Sequence, residues 1–185
     1  MGTKVAKILL AIVFIAAAAV GIYFVLPAKY KTALIMTYQK TVDDNYEPLV
    51  NAVKGTTIPK NKKITYDDAI MKMGNPAWTI EKHAVDENGD GEYYVIADGF
   101  NVTISMENET NDDGMMTFTD AHTRLMFLVI KNGDEITTSK KKVIEPEKPL
   151  TPERIIVDET TYYSTDKTEY FQGVLDVLAS LVGEE

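Results

Sequence analysis

A calcium loop opens with oxygen ligands at alternate positions and a glycine at the bend, and Asp86-Glu87-Asn88-Gly89-Asp90-Gly91 has that spacing. Asp86, Asn88 and Asp90 would supply the side-chain oxygens. The bidentate Glu that closes such a loop belongs at the twelfth position, which is Ala97 here. The flanks also have the two-residue period of strands, where the usual loop has helices. A polar hairpin turn is therefore the leading reading of the segment, with calcium as its functional alternative. A second acidic run, Asn108-Glu109-Thr110-Asn111-Asp112-Asp113-Gly114, lacks the alternate spacing and reads as turn chemistry.

The rest of the chemical inventory points away from catalysis. The two histidines, His83 and His122, fall on separate strand-like segments with no spacing that pairs them. The absence of cysteine removes disulfides, thiolate zinc sites, thiol nucleophiles and a lipidated cysteine together. There is no glycine-rich phosphate loop, no Gly-x-Ser-x-Gly and no His-Glu-x-x-His. The sequence thus assigns no catalytic residue and no cofactor beyond the optional calcium. Net charge is −9, with Lys4 and Lys7 ahead of every acidic residue, and the short basic clusters at Lys60-Asn61-Lys62-Lys63 and Lys140-Lys141-Lys142 sit in an acidic field. Phosphate recognition needs clustered Lys and Arg, so nucleic acid is not an expected partner.

What positions these residues begins with residues 8–26, nineteen positions without a charge, flanked by Lys4 and Lys7 on one side and by Pro27, Lys29 and Lys31 on the other. At about 1.5 Å rise per residue they reach about 28 Å, close to the hydrocarbon thickness of a bilayer. Ala16-Ala17-Ala18-Ala19 offers a signal-cleavage site, yet the run continues equally apolar through Val20-Gly21-Ile22-Tyr23-Phe24-Val25-Leu26. An uncleaved anchor in contact with membrane lipid is the first expectation and a cleaved signal the second. Ala17-x-x-x-Gly21 within the run is a spacing that lets membrane helices approach closely. A short basic tail normally stays in the cytoplasm, and Asn101-Val102-Thr103 and Asn108-Glu109-Thr110 are acceptor sequons, so the body is expected outside it, periplasmic or extracellular.

Past the anchor, apolar residues at Ile35, Tyr38, Val42, Tyr46, Leu49 and Val53 step by three or four, one stripe of a helix interrupted by Pro48. A helix to about Asp44 and a second from Pro48 to Lys54 follow, with Gly55 as the stop. Residues 55–64 read as a basic loop, and Thr65 caps a short helix carrying Asp67 and Asp68 in its first turn. From Ala77 the period becomes two: Trp78 and Ile80 share a face, as do Tyr93, Val95 and Ala97, and Phe100, Val102, Ile104 and Met106 alternate with polar residues, which predicts a sheet with one wet side. Residues 115–118 and 125–130 alternate little and are expected at the sheet centre. Asn132-Gly133 is a type I′ hairpin signal. Pro146, Pro149 and Pro152 mark an extended surface connector, Ile155-Ile156-Val157 an edge strand, and Asp166 with Glu169 a capping box. The face Phe171, Val174, Leu175, Leu178, Leu181 and Val182 then predicts an amphipathic C-terminal helix.

The stretch from Thr65 to Tyr94, a capped helix, then Gly74-Asn75-Pro76, then strand and hairpin, resembles the start of the small envelope domains typified by the outer-membrane assembly lipoproteins and the β-lactamase inhibitor protein. The lipidated cysteine and repeated Gly-Met-Thr motif of that family are absent, and the resemblance assigns no functional residue.

The predicted fold is α+β: an N-terminal transmembrane helix, then one domain with an antiparallel sheet of about five to six strands and helices before and after it. Its order is a cytoplasmic tail (1–7), the transmembrane signal anchor (8–26), a juxtamembrane helical segment (27–55), the sheet domain with its short helix at 65–73 (56–144), a proline-rich connector (145–154), and an edge strand with the C-terminal helix (155–185). The expected function is that of a non-catalytic, single-pass accessory or assembly subunit binding other protein subunits. Ile35, Tyr38, Val42 and Tyr46 on the first stripe, and Phe171, Leu175 and Leu178 on the last helix, are the expected partner contacts. The alternative is a secreted binding or inhibitor domain with calcium support.

Overall fold

The computed structural model describes residues 23–107, 115–165 and 169–183. Residues 8–22 of the expected span, residues 108–114 and Asp166 lie outside that set. Among the described residues no helix is long and apolar enough to cross a membrane.

Among the described residues four whole helices and eight strands follow one another: α1 (Ala28–Val42), α2 (Tyr46–Lys54), β1 (Thr57–Ile58), β2 (Asn61–Thr65), α3 (Tyr66–Met71), β3 (Gly74–Val85), β4 (Gly91–Glu107), β5 (Met115–Asn132), β6 (Glu135–Thr138), β7 (Arg154–Val157), β8 (Thr160–Tyr163) and α4 (Glu169–Gly183). The main sheet is six-stranded and wholly antiparallel, in the order β3-β4-β5-β7-β8, with β6 pairing β5 beside β7. The α+β expectation holds: helices flank a mostly sequential antiparallel sheet.

The helical stripe is broken into two helices as the sequence predicts, with the break earlier than Pro48. Asp43 ends α1, its Oδ1 accepts the Asn45 N–H at 3.0 Å, and α2 restarts at Tyr46 rather than at Pro48. Pro48 is the third residue of α2, where a missing N–H costs no intrahelical bond. Tyr46, Leu49, Val50 and Val53 bury one face of α2. Thr65 caps α3 in a full capping box, its hydroxyl accepting the Asp68 N–H while the Asp68 carboxylate accepts the N–H of Thr65.

Several expectations are corrected by pairing. Residues 55–64 are not a plain loop but hold the β1/β2 hairpin. The proline connector is stitched inward: Pro149 bridges Thr57, the Thr57 N–H donates to Lys148 O, and the Tyr66 hydroxyl donates to the carbonyl of buried Leu150 at 2.7 Å. Ile155-Ile156-Val157 is an interior strand, because β8 pairs beyond it and takes the edge. Residues 115–118 lie at an outer end of the β4/β5 ribbon, with Met115 exposed, whereas Leu125 and Phe127 are central. The turn after β5 sits one residue later than expected. Asn132 pairs with Glu135, Gly133 holds φ +59° as first central residue and Asp134 has none positive, the pattern of type II′ rather than I′.

The principal core lies between one sheet face and α2, α3 and α4, with Tyr66, Tyr93, Phe127, Leu49 and Leu175 fully buried. Close packing there favours Gly99, since a Cβ would fall 2.6 Å from the Cβ and 2.8 Å from the Cγ of Met73. Among the described residues the other face bears no helix. It has its own small cluster of Tyr94, Ile96 and Met126 with Leu128 and Ile156, so between residues 94 and 98 this side is not wet as expected.

Candidate functional site

Two regions merit a functional reading, one built from α1 and one from the helix-free sheet face. On α1, Thr32 is buried and Met36 packs on the core, while the Gln39 side chain meets the edge strand β3 like another strand. Its amide donates to Ile80 O at 2.6 Å, and its carbonyl accepts the Ile80 N–H at 2.9 Å. That side of α1 is committed to the fold. The side turned away carries Tyr30, Leu34, Ile35, Tyr38 and Val42, all exposed, Tyr38 at 68% and Val42 at 56%. Of the four residues expected on this stripe, Ile35, Tyr38 and Val42 are thus free. Tyr46 is not: it is 4% exposed and donates its hydroxyl to Trp78 O at 3.0 Å. Phe171, Leu175 and Leu178 are likewise buried against the sheet, which corrects their expected partner role, since a helix face already spent on the chain's own core cannot receive another protein.

The N-terminal side of α1 continues this exposure. Residues 23–25 are helical, Leu26 and Pro27 break the path, and Phe24 and Val25 stand in solvent. The Lys31 amine reaches back to the Phe24 carbonyl at 3.1 Å and lies 5.6 Å from the Tyr23 ring, while Lys29 lies over Tyr30 at 5.2 Å.

The helix-free face holds the densest ionic chemistry. Asp98 is fully buried. Its Oδ1 is 2.6 Å from His122 Nε2 and 2.9 Å from Arg124 Nε, and its Oδ2 accepts from Arg124 Nη2 at 3.4 Å. The His122 ring stacks flat on Phe100 at 4.1 Å, and the His122 N–H donates to Asp158 Oδ1. A bulge makes this possible: register slips between Gly99 and Val102 with Asn101 at φ +57°, so Phe100 leaves the alternation it was expected to share with Val102, Ile104 and Met106 and joins His122. Arg124 and Arg154 are the only arginines of the chain. Arg154 sits 4.7 Å over the Tyr94 ring. An Asp–His pair serves hydrolysis when a nucleophile hydrogen-bonds the imidazole's other nitrogen; the further ring contact described here is the flat one with Phe100. As built, the cluster neutralises a buried carboxylate and locks β4 to β5.

No local motif marks this cluster, because His122 and Arg124 stand 24 and 26 residues from Asp98 and meet it only through the β4/β5 register. The available signal was a lone carboxylate inside the apolar stretch Tyr93-Tyr94-Val95-Ile96-Ala97-Asp98.

The 86–91 loop is the turn between β3 and β4. Asp86 Oδ1 accepts the N–H groups of Asn88 at 2.8 Å and Asp90 at 3.0 Å, and Asp90 Oδ1 accepts from Lys131 Nζ at 3.0 Å and the Gly133 N–H at 2.9 Å. The Lys131 ammonium and the Gly133 N–H hold the Asp90 carboxyl below the usual carboxylate range. Asp86 braces its own turn and Asp90 fastens that turn to the one after β5, and among the described residues no group of three or more acidic or histidine side chains is arranged to hold a metal ion. His83 lies 3.8 Å from Glu92 and tilts against Tyr94, apart from His122.

Comparison with known proteins finds no family model, no curated protein and no solved structure that matches this chain.

Proposed function

We propose that this chain is a single-pass, membrane-anchored, non-catalytic accessory or assembly subunit, with residues 8–26 as an uncleaved signal anchor, residues 1–7 in the cytoplasm and the α+β body outside it. The observation that carries the reading is the exposed apolar side of α1, which starts two residues after the uncharged run and keeps its hydrophobic character through Tyr38 and Val42. A contiguous apolar face of this kind, Tyr30, Leu34, Ile35, Tyr38 and Val42 along one helix, marks a surface that meets membrane or partner. The body has a complete core of its own, so the anchor is not needed to fold it and serves instead to locate it.

The test is flotation and intact mass of the natural full-length product. The subunit reading expects the protein to float with membranes after alkaline carbonate washing and to retain its first residues. Water-soluble material lacking about the first 18 residues, a length set by the alanine cleavage site, would replace it with the secreted binding domain. Calcium support is tested separately by isothermal titration of the full chain, where absence of heat up to millimolar calcium removes Asp86, Asn88 and Asp90 as ligands.

A further inference from the structure

Resting on the membrane-anchored reading, we infer that α1 lies along the bilayer surface, with Tyr30, Leu34, Tyr38 and Val42 bedded at the lipid headgroup boundary and the β3 edge of the sheet directly above. Those four residues are spaced by four, and each step turns about 40° around the helix, so they sweep an outward face about 120° wide. The opposite side is occupied by Thr32, Met36 and Gln39 on the protein. α1 therefore separates the sheet edge from whatever lies beyond it.

Distance decides the occupant. The uncharged run ends at Leu26 and α1 begins at Ala28 after the break at Leu26 and Pro27, so the start of α1 is fixed at the end of the proposed span. The headgroup layer is only about 5–7 Å thick on each side. If α1 stood upright from Ala28, Leu34 would be about 9 Å, Tyr38 about 15 Å and Val42 about 21 Å along its axis, all beyond the headgroup layer and bare in water. Lying flat, the same residues enter the boundary at the depth typical of interfacial helices, about 5–10 Å. The side-chain types agree with lipid. Tyr23, Tyr30 and Tyr38 each combine an apolar ring with a polar tip. The Lys29 and Lys31 stems can cover apolar surface while their amines stay at the polar boundary, and the face sets Thr37 and Thr41 among the bulkier Tyr30, Leu34, Tyr38 and Val42, which hold another helix away from the close approach that small-residue pairing uses.

The chain has no cysteine, so single nitroxide labels can be placed cleanly in the full-length protein reconstituted in phosphatidylcholine–phosphatidylglycerol vesicles. Tyr38→Cys and Val42→Cys are the reporters and Lys40→Cys, on the polar side, the reference. Flotation of each sample and the emission of buried Trp78 verify anchoring and folding. The expected result is oxygen collision favoured several-fold over a water-soluble nickel chelate at positions 38 and 42, and the reverse at 40. Nickel access at 38 and 42 equal to that at 40, in samples that float, would show an upright helix in water and overturn the inference while leaving the anchor intact. Shielding from both reagents with spin–spin coupling between chains would assign the face to a second copy and overturn it too. Folded samples that fail to float would sink the anchored reading itself.

Discussion

At the scale of single residues, Asp98 is the position where chemistry and stability meet. Its carboxylate is fully buried and held by His122 and Arg124, both partly open to water. Removing one member of such a buried ion cluster strands the others, which costs about 3–5 kcal/mol. Asp98→Ala is expected to lose about 3 kcal/mol, read from the unfolding midpoint of Trp78, the only tryptophan and itself 3% exposed. An unchanged midpoint would mean that Arg124 and His122 turn to solvent without penalty. Buried tyrosines set the alkaline limit. Burial, and then the neighbouring Glu47 charge, push the Tyr46 hydroxyl up to about 12, and burial raises Tyr66 well above its ordinary range. A group whose folded pKa exceeds its unfolded one lends stability that is complete below the unfolded value, about 10 for tyrosine, and is lost as pH climbs to the folded value. Stability should therefore fall between about pH 10 and about pH 12, and Tyr46→Phe should flatten part of that fall. An equally steep loss in Tyr46→Phe would refute the assignment.

Among the elements, the informative device is α1 used as an edge guard. β3 is an outer strand, and the paired hydrogen bonds of Gln39 to both polar groups of Ile80 occupy positions another chain would otherwise template. Gln39→Ala leaves both groups of Ile80 unpaired at a partly buried site, an expected loss of about 1–3 kcal/mol. Faster amide exchange at Ile80 than at its neighbours on β3 is the specific readout; unchanged exchange would show that water fills the gap without cost. How far the elements could be read from sequence follows from what signals them. The strands around Val95 and Ile104, the Thr65 cap and the C-terminal helix were legible because their own periodicity or capping residues specify them. β8 was not, since Thr160-Thr161-Tyr162-Tyr163 buries only Tyr162 and becomes a strand through its pairing with β7. The break between α1 and α2 was legible from Pro48 but its place was not: the stripe stays in phase from Val42 to Tyr46, and the Asp43–Asn45 turn starts the second helix two residues before that proline. The candidate site shows the same division: the helical period marks Ile35, Tyr38 and Val42 as one stripe, and the Asp98 cluster stays hidden until two long strands are laid side by side.

Over the whole molecule, the apolar residues fall into two populations that sequence periodicity cannot separate and burial can. Phe171, Leu175 and Leu178 on α4 and Leu34, Tyr38 and Val42 on α1 are equally helical in spacing, yet the first set closes the core and the second faces outward. The two should answer oppositely to substitution. Leu175→Ala opens a cavity at a site with no exposure, which costs about 2–5 kcal/mol, a large part of the about 5–15 kcal/mol that holds a domain together. The triple change of Leu34, Tyr38 and Val42 to Ser removes side chains already in contact with their surroundings, and each exposed position should shift folding by no more than about 0.5 kcal/mol. In the full-length chain in mild detergent, the Trp78 unfolding midpoint is expected to drop for Leu175→Ala and to hold within error for the triple variant. The triple variant should instead weaken whatever association the α1 surface makes. If it unfolds as readily as Leu175→Ala, the outward side of α1 is part of the fold, and neither lipid nor partner has a surface there to meet.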